Sequence, residues 1–405
     1  MLFFPAESFP TNRVRLTALF GREMFGRGHA IDLVMQAGTD AVRPGRHDWF
    51  GRSVWVGPTD CRGGFLNRLH KHALGFSHDL RLLFRARASD YDCILVSDKY
   101  LLACIASVIA RVRGLKFFFW LTFSFHNSYI LLGREGLARY PLLSRARGHV
   151  ASFFLRHWII PLSHHVFVQS PRMAEDFCDY GANPTRLTPI LTGVDTAEAA
   201  PVGREAGRRR VPLTIAYLGT LGRERRIEIL VDMVAELKRQ GLSVRLLLVG
   251  DGETAADRAA IELRAQALGV LNQIEITGLL PRLQAMERAS TADIGISPIP
   301  PSPIFDGASP TKLVEYLALG LPVIANSHPD QSQVLRDSGS GVCVPWGPRY
   351  FARAVRWMAR LSDEQFATFG QRGRTWVREH RSYTKIADEF ERACVRAIEK
   401  GTRVL

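Results

Sequence analysis

The stretch Ala308–Asn326, A-S-P-T-K-L-V-E-Y-L-A-L-G-L-P-V-I-A-N, runs a helix directly into a buried strand and sets ionisable residues near the helix opening. Ser309 is a residue type that caps a helix by accepting a free backbone N–H, and Pro310 suits the first helical position, where no donor is missed. Gly320 and Pro322 end the helix after about ten residues, and Val323-Ile324-Ala325 reads as a strand. Leu313, Val314, Leu317 and Ala318 recur at helical spacing on one inward face, which leaves Thr311, Lys312 and Glu315 nearer the open end. The unpaired N–H groups and dipole of such an end attract phosphate.

The same alternation of strand and helix extends in both directions. L-T-I-A-Y-L-G (213–219), V-R-L-L-L-V-G (244–250), Q-I-E-I-T-G (273–278), A-D-I-G-I-S-P (292–298) and G-V-C-V-P (341–345) read as strands. Between them, Ile227–Arg239, Ala255–Leu268 and the region around Leu283–Ala289 read as helices, so a parallel sheet is expected. The first half repeats the pattern less regularly, with A-I-D-L-V-M (30–35), R-S-V-W-V-G (52–57), D-C-I-L-V-S (92–97), K-F-F-F-W-L (116–121) and H-H-V-F-V-Q (164–169) as five strands. L-F-F (2–4) is offered as a sixth. Thr196–Pro212 has no apolar periodicity and carries Pro, Gly and three consecutive arginines, which marks a linker between two α/β domains, 1–200 and 201–382. No short-period repeat points to a solenoid or propeller.

A chain of 405 residues, 46% apolar and 23% charged, is long enough for two globular cores and carries no extended low-complexity tract. Its 53 Lys and Arg against 39 Asp and Glu give a net charge of +14, so anionic partners are expected: nucleotide phosphates, nucleic acid or acidic lipid headgroups. The apolar stretches Tyr100–Ala110 and Leu115–Phe125 are shorter than the ~18 to 20 residues of a membrane-spanning helix. The opening M-L-F-F-P-A-E lacks the basic and apolar regions of a secretory signal, so an intracellular protein is expected. The six cysteines are scattered without metal-ligand spacing and are expected as reduced thiols.

In open parallel sheets, ligands gather beyond the carboxyl ends of the strands. There Gly219-Thr220-Leu221-Gly222 leads through Arg223, Arg225 and Arg226 into a helix, small residues for close backbone approach followed by guanidinium groups suited to phosphate. Gly250-Asp251-Gly252 is a tight turn after the next strand, and Gly278 with Leu279–Arg282 ends the third, where a loop can hold a base. A full G-x-G-x-x-G and a P-loop are both absent. Glu315 is either a solvated helix carboxylate or an acceptor for the paired hydroxyls of a ribose beside the phosphate site. Lys312 is either a phosphate donor or an i,i+3 partner of Glu315.

Taken together, S-P-T-K-L-V-E-Y-L-A-L-G-L-P-V-I-A, A-D-I-G-I-S-P, V-G-D-G and I-T-G-L-L-P resemble the retaining glycosyltransferases of family 4, in the family's order and across 213–395. F-P-T-N-R, G-R-G-H-A-I-D-L-V, H-H-V-F-V-Q-S-P-R-M and L-T-G-V-D-T extend the resemblance more loosely over the first half. It implies an α/β GT-B fold, two Rossmann-like domains with a cleft between them, the first binding the acceptor and the second the nucleotide-diphosphate sugar. A C-terminal helix within 383–405 is then expected to cross back to the first domain. The resemblance assigns Glu315 to the nucleotide ribose, the Ser309-Pro310-Thr311-Lys312 helix start to the diphosphate, and Arg225 or Arg226 to the leaving group. It implies transfer with retention, with no cofactor and no bound metal. Many members carry a further glutamate where this chain has Gly307; Asp306 beside it is the candidate carboxylate. His126, after K-F-F-F-W-L, is the candidate for the first-domain histidine near the reacting sugar.

Members with S-P-x-K often act on lipid-linked acceptors, so a glycan or lipid-linked acceptor is expected. Arg68, His70, Lys71, Arg81, Arg85 and Arg87, with Arg145, Arg147 and Arg156 flanking F-F-L-R-H-W-I-I-P-L, would suit peripheral contact at the anionic inner face of the cytoplasmic membrane. Nucleic acid is not an expected partner, because no recognition motif accompanies the basic residues. The competing readings are a GT-B nucleotide-sugar epimerase and a non-enzymatic nucleic-acid-binding protein.

Overall fold

Short, mostly apolar runs build two largely parallel sheets, because a strand covered on both faces needs no polar alternation. The computed structural model describes residues 1–62, 64–136, 138–196 and 211–399. The chain forms two units, Met1–Leu191 with Ile386–Leu405, and Thr192–Lys385. Most of the expected linker, residues 197–210, lies outside the described residues.

The first unit contains β1 (Leu2–Phe4), β2 (Ser8–Phe9), β3 (Asp32–Ala37), β4 (Gly45–Trp49), β5 (Arg52–Gly57), β6 (Cys93–Ser97), β7 (Lys116–Leu121), β8 (His165–Val168) and β9 (Leu187–Pro189). Their order is β4-β5-β3-β1-β6-β7-β8-β9, with β2 paired to β3. Only β4 and β5 pair antiparallel among them. The Leu2-Phe3-Phe4 run is central: Leu2 pairs with both Asp32 and Ile94, and all three side chains are buried. Helix Tyr383–Glu399 supplies this unit with Phe390, fully buried and stacked on Trp120 at 5.4 Å. Arg27 fastens the same helix through Asp388 and Glu391, each at 2.7 Å.

The second unit contains β10 (Leu213–Leu218), β11 (Val244–Val249), β12 (Ile274–Ile276), β13 (Ile294–Ser297), β14 (Val323–Asn326) and β15 (Gly341–Val344). The order is β12-β11-β10-β13-β14-β15, parallel throughout. This is the doubly wound arrangement, and the winding reverses between β10 and β13, where helix crossovers leave opposite faces and a crevice opens at the carboxyl ends. Register brings Ile215 opposite Ile294 and Gly295 opposite Val323. Gly295 admits the Tyr316 ring; a Cβ there would lie 2.4 Å from it.

Candidate functional site

Two glycines shape the turns after β10 and its neighbour β11, beside the reversal point. Gly219 (φ +146°) follows β10 and Gly250 (φ +149°) follows β11. The Gly219 N–H donates to the Val249 carbonyl at 3.0 Å and the Leu221 N–H to the Asp251 carbonyl at 2.9 Å. A Cβ on Gly250 would stand 2.0 Å from the Gly219 carbonyl oxygen, so the turns can touch only as bare backbone. Gly250→Ala is therefore expected to destabilise the protein by about 3 kcal/mol or more, measured by urea unfolding. A loss below about 1 kcal/mol would show that the turns separate freely.

Lys312 lies in the first turn of helix Thr311–Ala318. Its ammonium donates to the Tyr217 hydroxyl at 3.2 Å and lies 4.4 Å from the centre of that buried ring. The Tyr217 hydroxyl in turn donates to the Thr220 carbonyl at 2.9 Å. A Cβ on Gly219 would come 3.6 Å from the Lys312 nitrogen, so the turn after β10 runs close beside the ammonium. Burial pushes the Lys312 pKa down to about 7, and the positive charge of Arg225 adds to the effect. No carboxylate among the described residues forms an ion pair with Lys312. An anion entering here would restore the ammonium.

The arginines that follow Gly222 separate. Arg225 extends over the Phe305 ring at 5.2 Å and is 3.5 Å from the Glu224 carboxylate. Phe305 belongs to helix Pro303–Asp306, which carries Asp306, half-buried, toward the same region of chain. Arg223 is exposed and 3.6 Å from Asp257. Arg226 adopts a left-handed backbone (φ +50°) and is exposed. Gly219, Thr220, Arg225 and Lys312 thus come together around Tyr217, whereas Arg223 turns to another helix. Gly278 (φ +74°) adjoins the neighbouring turn, a Cβ there falling 3.6 Å from the Asp251 carboxylate.

Two sequence expectations are corrected at the opening helix. Ser309 does not cap it: Pro310 is the N-cap residue, Thr311 is the first helical residue, and no side chain caps the first turn. The Ser309 hydroxyl instead donates to Asp330 at 2.9 Å and accepts from the Thr192 N–H and from Arg381, each at 3.1 Å. The Arg381–Asp330 ion pair is almost fully enclosed and requires polar partners, which draws the hydroxyl away. The helix N–H groups consequently keep their capacity for an anion. Glu315 is 4% exposed rather than set at an open end, and its partner is not Lys312. Its Oε1 accepts from Arg282 at 2.6 Å, while Lys312 turns to Tyr217.

His126 belongs to the first unit, where it opens helix Phe125–Arg134 and is 1% exposed. Its Nδ1 meets the Tyr100 hydroxyl at 3.1 Å, and its buried Nε2 has no partner among the described residues. Burial, with the charge of Arg156, holds its pKa at about 4, so the ring is neutral at physiological pH. Asp98 after β6 (φ +57°) accepts from the Thr122 N–H at 2.9 Å and the Ser97 hydroxyl at 3.0 Å. Burial raises it to about 6 against those hydrogen bonds and the charge of Arg15. Arg15 and Glu7 pair at 2.7 Å, each keeping one buried atom, Nη1 and Oε2, without a partner among the described residues. Sequence reading missed Asp98, Tyr100, Arg15 and Glu7; the one local signal is that Glu7 stands just beyond β1 and Asp98 and Tyr100 just beyond β6, while Arg15 opens the first helical segment. Among the described residues, no cluster of His, Cys, Asp and Glu is placed to hold a metal ion.

This doubly wound unit, following a second, largely parallel α/β unit, defines a GT-B fold. The chain belongs to the glycosyltransferases: residues 14–198 match the family described as Glycosyltransferase Family 4, and residues 212–360 match Glycosyl transferases group 1. The phosphatidyl-myo-inositol mannosyltransferase of Mycobacterium leprae is 30% identical over 160 residues, covering 39% of this chain and 40% of that protein. Sucrose-phosphate synthase from Thermosynechococcus elongatus has the same fold at a TM-score of 0.74 and 15% identity, covering 98% of this chain and 99% of that one. Anabaena Alr3699/HepE in complex with UDP gives 0.66 and 14% over the same shares, 98% and 99%. The chain spans 40% of the length of the first curated relatives it matches.

Proposed function

We propose that the protein is a retaining, metal-independent glycosyltransferase that moves a sugar from a nucleotide-diphosphate sugar to a glycan or lipid-linked acceptor in cell-surface glycan biosynthesis. The observation that carries this reading is the uncapped start of helix Thr311–Ala318 beside Lys312 and Arg225. The diphosphate sits on the free N–H groups and the ammonium, with Arg225 alongside. Glu315 receives the ribose hydroxyls, and the turn bearing Gly278 receives the base. Alr3699/HepE binds UDP on the same fold, which favours a nucleoside diphosphate as the leaving group.

The bond from the anomeric carbon to the diphosphate breaks, and a bond from that carbon to an acceptor oxygen forms on the same face. The acceptor proton leaves with the diphosphate. Catalysis comes from positioning and from cations that meet charge growing on the leaving group. The first unit holds the acceptor, and His126, neutral, offers its unpartnered Nε2 to a sugar hydroxyl. Asp306 is the carboxylate nearest the family's acidic position, and Arg226 a second candidate for the leaving group. Calorimetric titration with UDP, GDP and their sugars, followed by transfer assays on membrane extracts, tests the reading. Binding of none of them, or conversion of the donor to an epimer without acceptor, would overturn it.

The same reading includes peripheral attachment at the inner face of the cytoplasmic membrane. Helix Pro141–Phe154 exposes Leu142, Leu143, Val150 and Phe153 beside Arg145 and Arg147. Apolar and basic side chains exposed on one helix suit an anionic interface. No helix among the described residues is long and apolar enough to cross a membrane. The protein is expected to sediment with phosphatidylglycerol vesicles at low salt and to leave them as ionic strength rises toward about 0.5 M, because screening lengths shrink below charge separations. Retention that ignores salt, or no binding, would refute the attachment.

A further inference from the structure

Arg111, Lys116, His164 and Arg186 line a cavity of about 280 Å³ in the first unit. His164 and Arg186 also line an adjoining cavity of about 590 Å³, which Asn183 and Arg396 border. Both lie at the amino ends of β7, β8 and β9, where Lys116 opens β7 and His164 precedes β8. Thr122 and His126 follow the opposite end of β7, and Asp98 the same end of its neighbour β6, about 20 Å away for a six-residue strand. Neither cavity has a carboxylate in its lining. No ion pair engages Arg111, Lys116 or Arg186 among the described residues.

Cations gathered without counter-charge repel one another and raise the energy of the empty site. His164 registers this: burial lowers its pKa, and Lys116, Arg186 and Arg111 press it further down against one backbone hydrogen bond from Phe117. The Phe117 N–H donates to His164 Nδ1 at 3.1 Å, so the neutral ring carries its proton on Nε2 as a donor. We infer that these cavities form a binding site for the phosphate group of a phosphorylated ligand, separate from the donor and acceptor sites. Two guanidinium forks, an ammonium and an imidazole N–H suit a tetrahedral oxyanion, which several donors can meet at once. The inference does not depend on the transfer reaction.

Binding is read from the His164 ring resonances of the full-length protein carrying ¹³C-labelled histidine. Inorganic phosphate and glycerol 3-phosphate form one arm, and phosphatidylcholine vesicles containing phosphatidic acid the other. A saturable shift with an upward His164 pKa is expected, and Arg186→Ala and Lys116→Ala should each weaken it about tenfold with the unfolding midpoint unchanged. A response to the soluble phosphates supports a small ligand; one confined to vesicles supports a lipid headgroup. A response matched by sodium chloride at equal ionic strength, one that both variants keep intact, or none in either arm, would overturn the site.

Discussion

Glu315→Gln is expected to lower kcat/KM for the nucleotide-diphosphate sugar by roughly 10²- to 10³-fold. A carboxylate that accepts from both hydroxyls of a ribose makes two charge-assisted hydrogen bonds, each worth about 1.5–3 kcal/mol, and about 1.4 kcal/mol is tenfold. Glutamine keeps the volume and one acceptor but loses the charge. It also loosens the 2.6 Å pair with Arg282, whose side chain is 26% exposed, so the cost to folding is held by solvent to about 1–2 kcal/mol. Kinetics with a saturating acceptor and a thermal melt of the same sample separate the two effects. Turnover within a factor of about three of the parent in a folded variant would end the ribose assignment.

Lys312→Met should raise the donor Kd about 100-fold and remove a pH dependence that the parent displays. In the free protein burial holds the Lys312 pKa near 7, with the Arg225 charge acting in the same direction. A bound diphosphate favours the charged amine and lifts that pKa, so binding takes up a proton. Affinity is therefore greatest below the free-state pKa of about 7 and declines as pH rises above it, by up to about tenfold per unit, until the bound-state pKa is reached. A nucleotide-diphosphate sugar is the right probe, since its diester phosphates do not titrate in this range. Calorimetry in buffers of differing ionisation enthalpy counts the proton directly. Affinity that is flat from neutral to alkaline pH, or unaltered in the variant, would remove Lys312 from the diphosphate site. Methionine preserves the packing on Tyr217 and relieves a half-buried charge, so folding should not suffer.

Both sheets could be read from the chain because strands buried on two faces announce themselves as apolar runs between glycines. The weak reading of Leu2-Phe3-Phe4 has a simple origin, since three residues show no period, although that strand is the pivot of the first sheet. Gly45–Trp49 went unseen for the opposite reason: G-R-H-D-W is a polar edge strand paired antiparallel to its neighbour. Among the candidate residues, the nearness of Gly219, Arg225 and Lys312 could be anticipated because each stands near a strand end or helix start. Their common support, Tyr217, read as one more apolar residue of a strand. The pairing of Glu315 with Arg282 spans 33 residues, and that of Ser309 with Arg381 spans 72. Contacts at such separations leave no local pattern, and the capping rule failed at Ser309 because a distant ion pair competed for the same hydroxyl.

Phe390 bears on how such enzymes can be recombined. Its ring fills the space between Trp120, Phe167 and Phe20, at 5.4, 4.8 and 5.4 Å, so the first unit completes its core with a residue encoded after the whole of the second. A chimera joined near Leu191 would inherit a foreign plug for that core, and an amino-terminal fragment none at all. Exchange of the front half must therefore carry the tail helix with it. The working module is the front half plus the final helix, which turns a gene fusion with one junction into one with two.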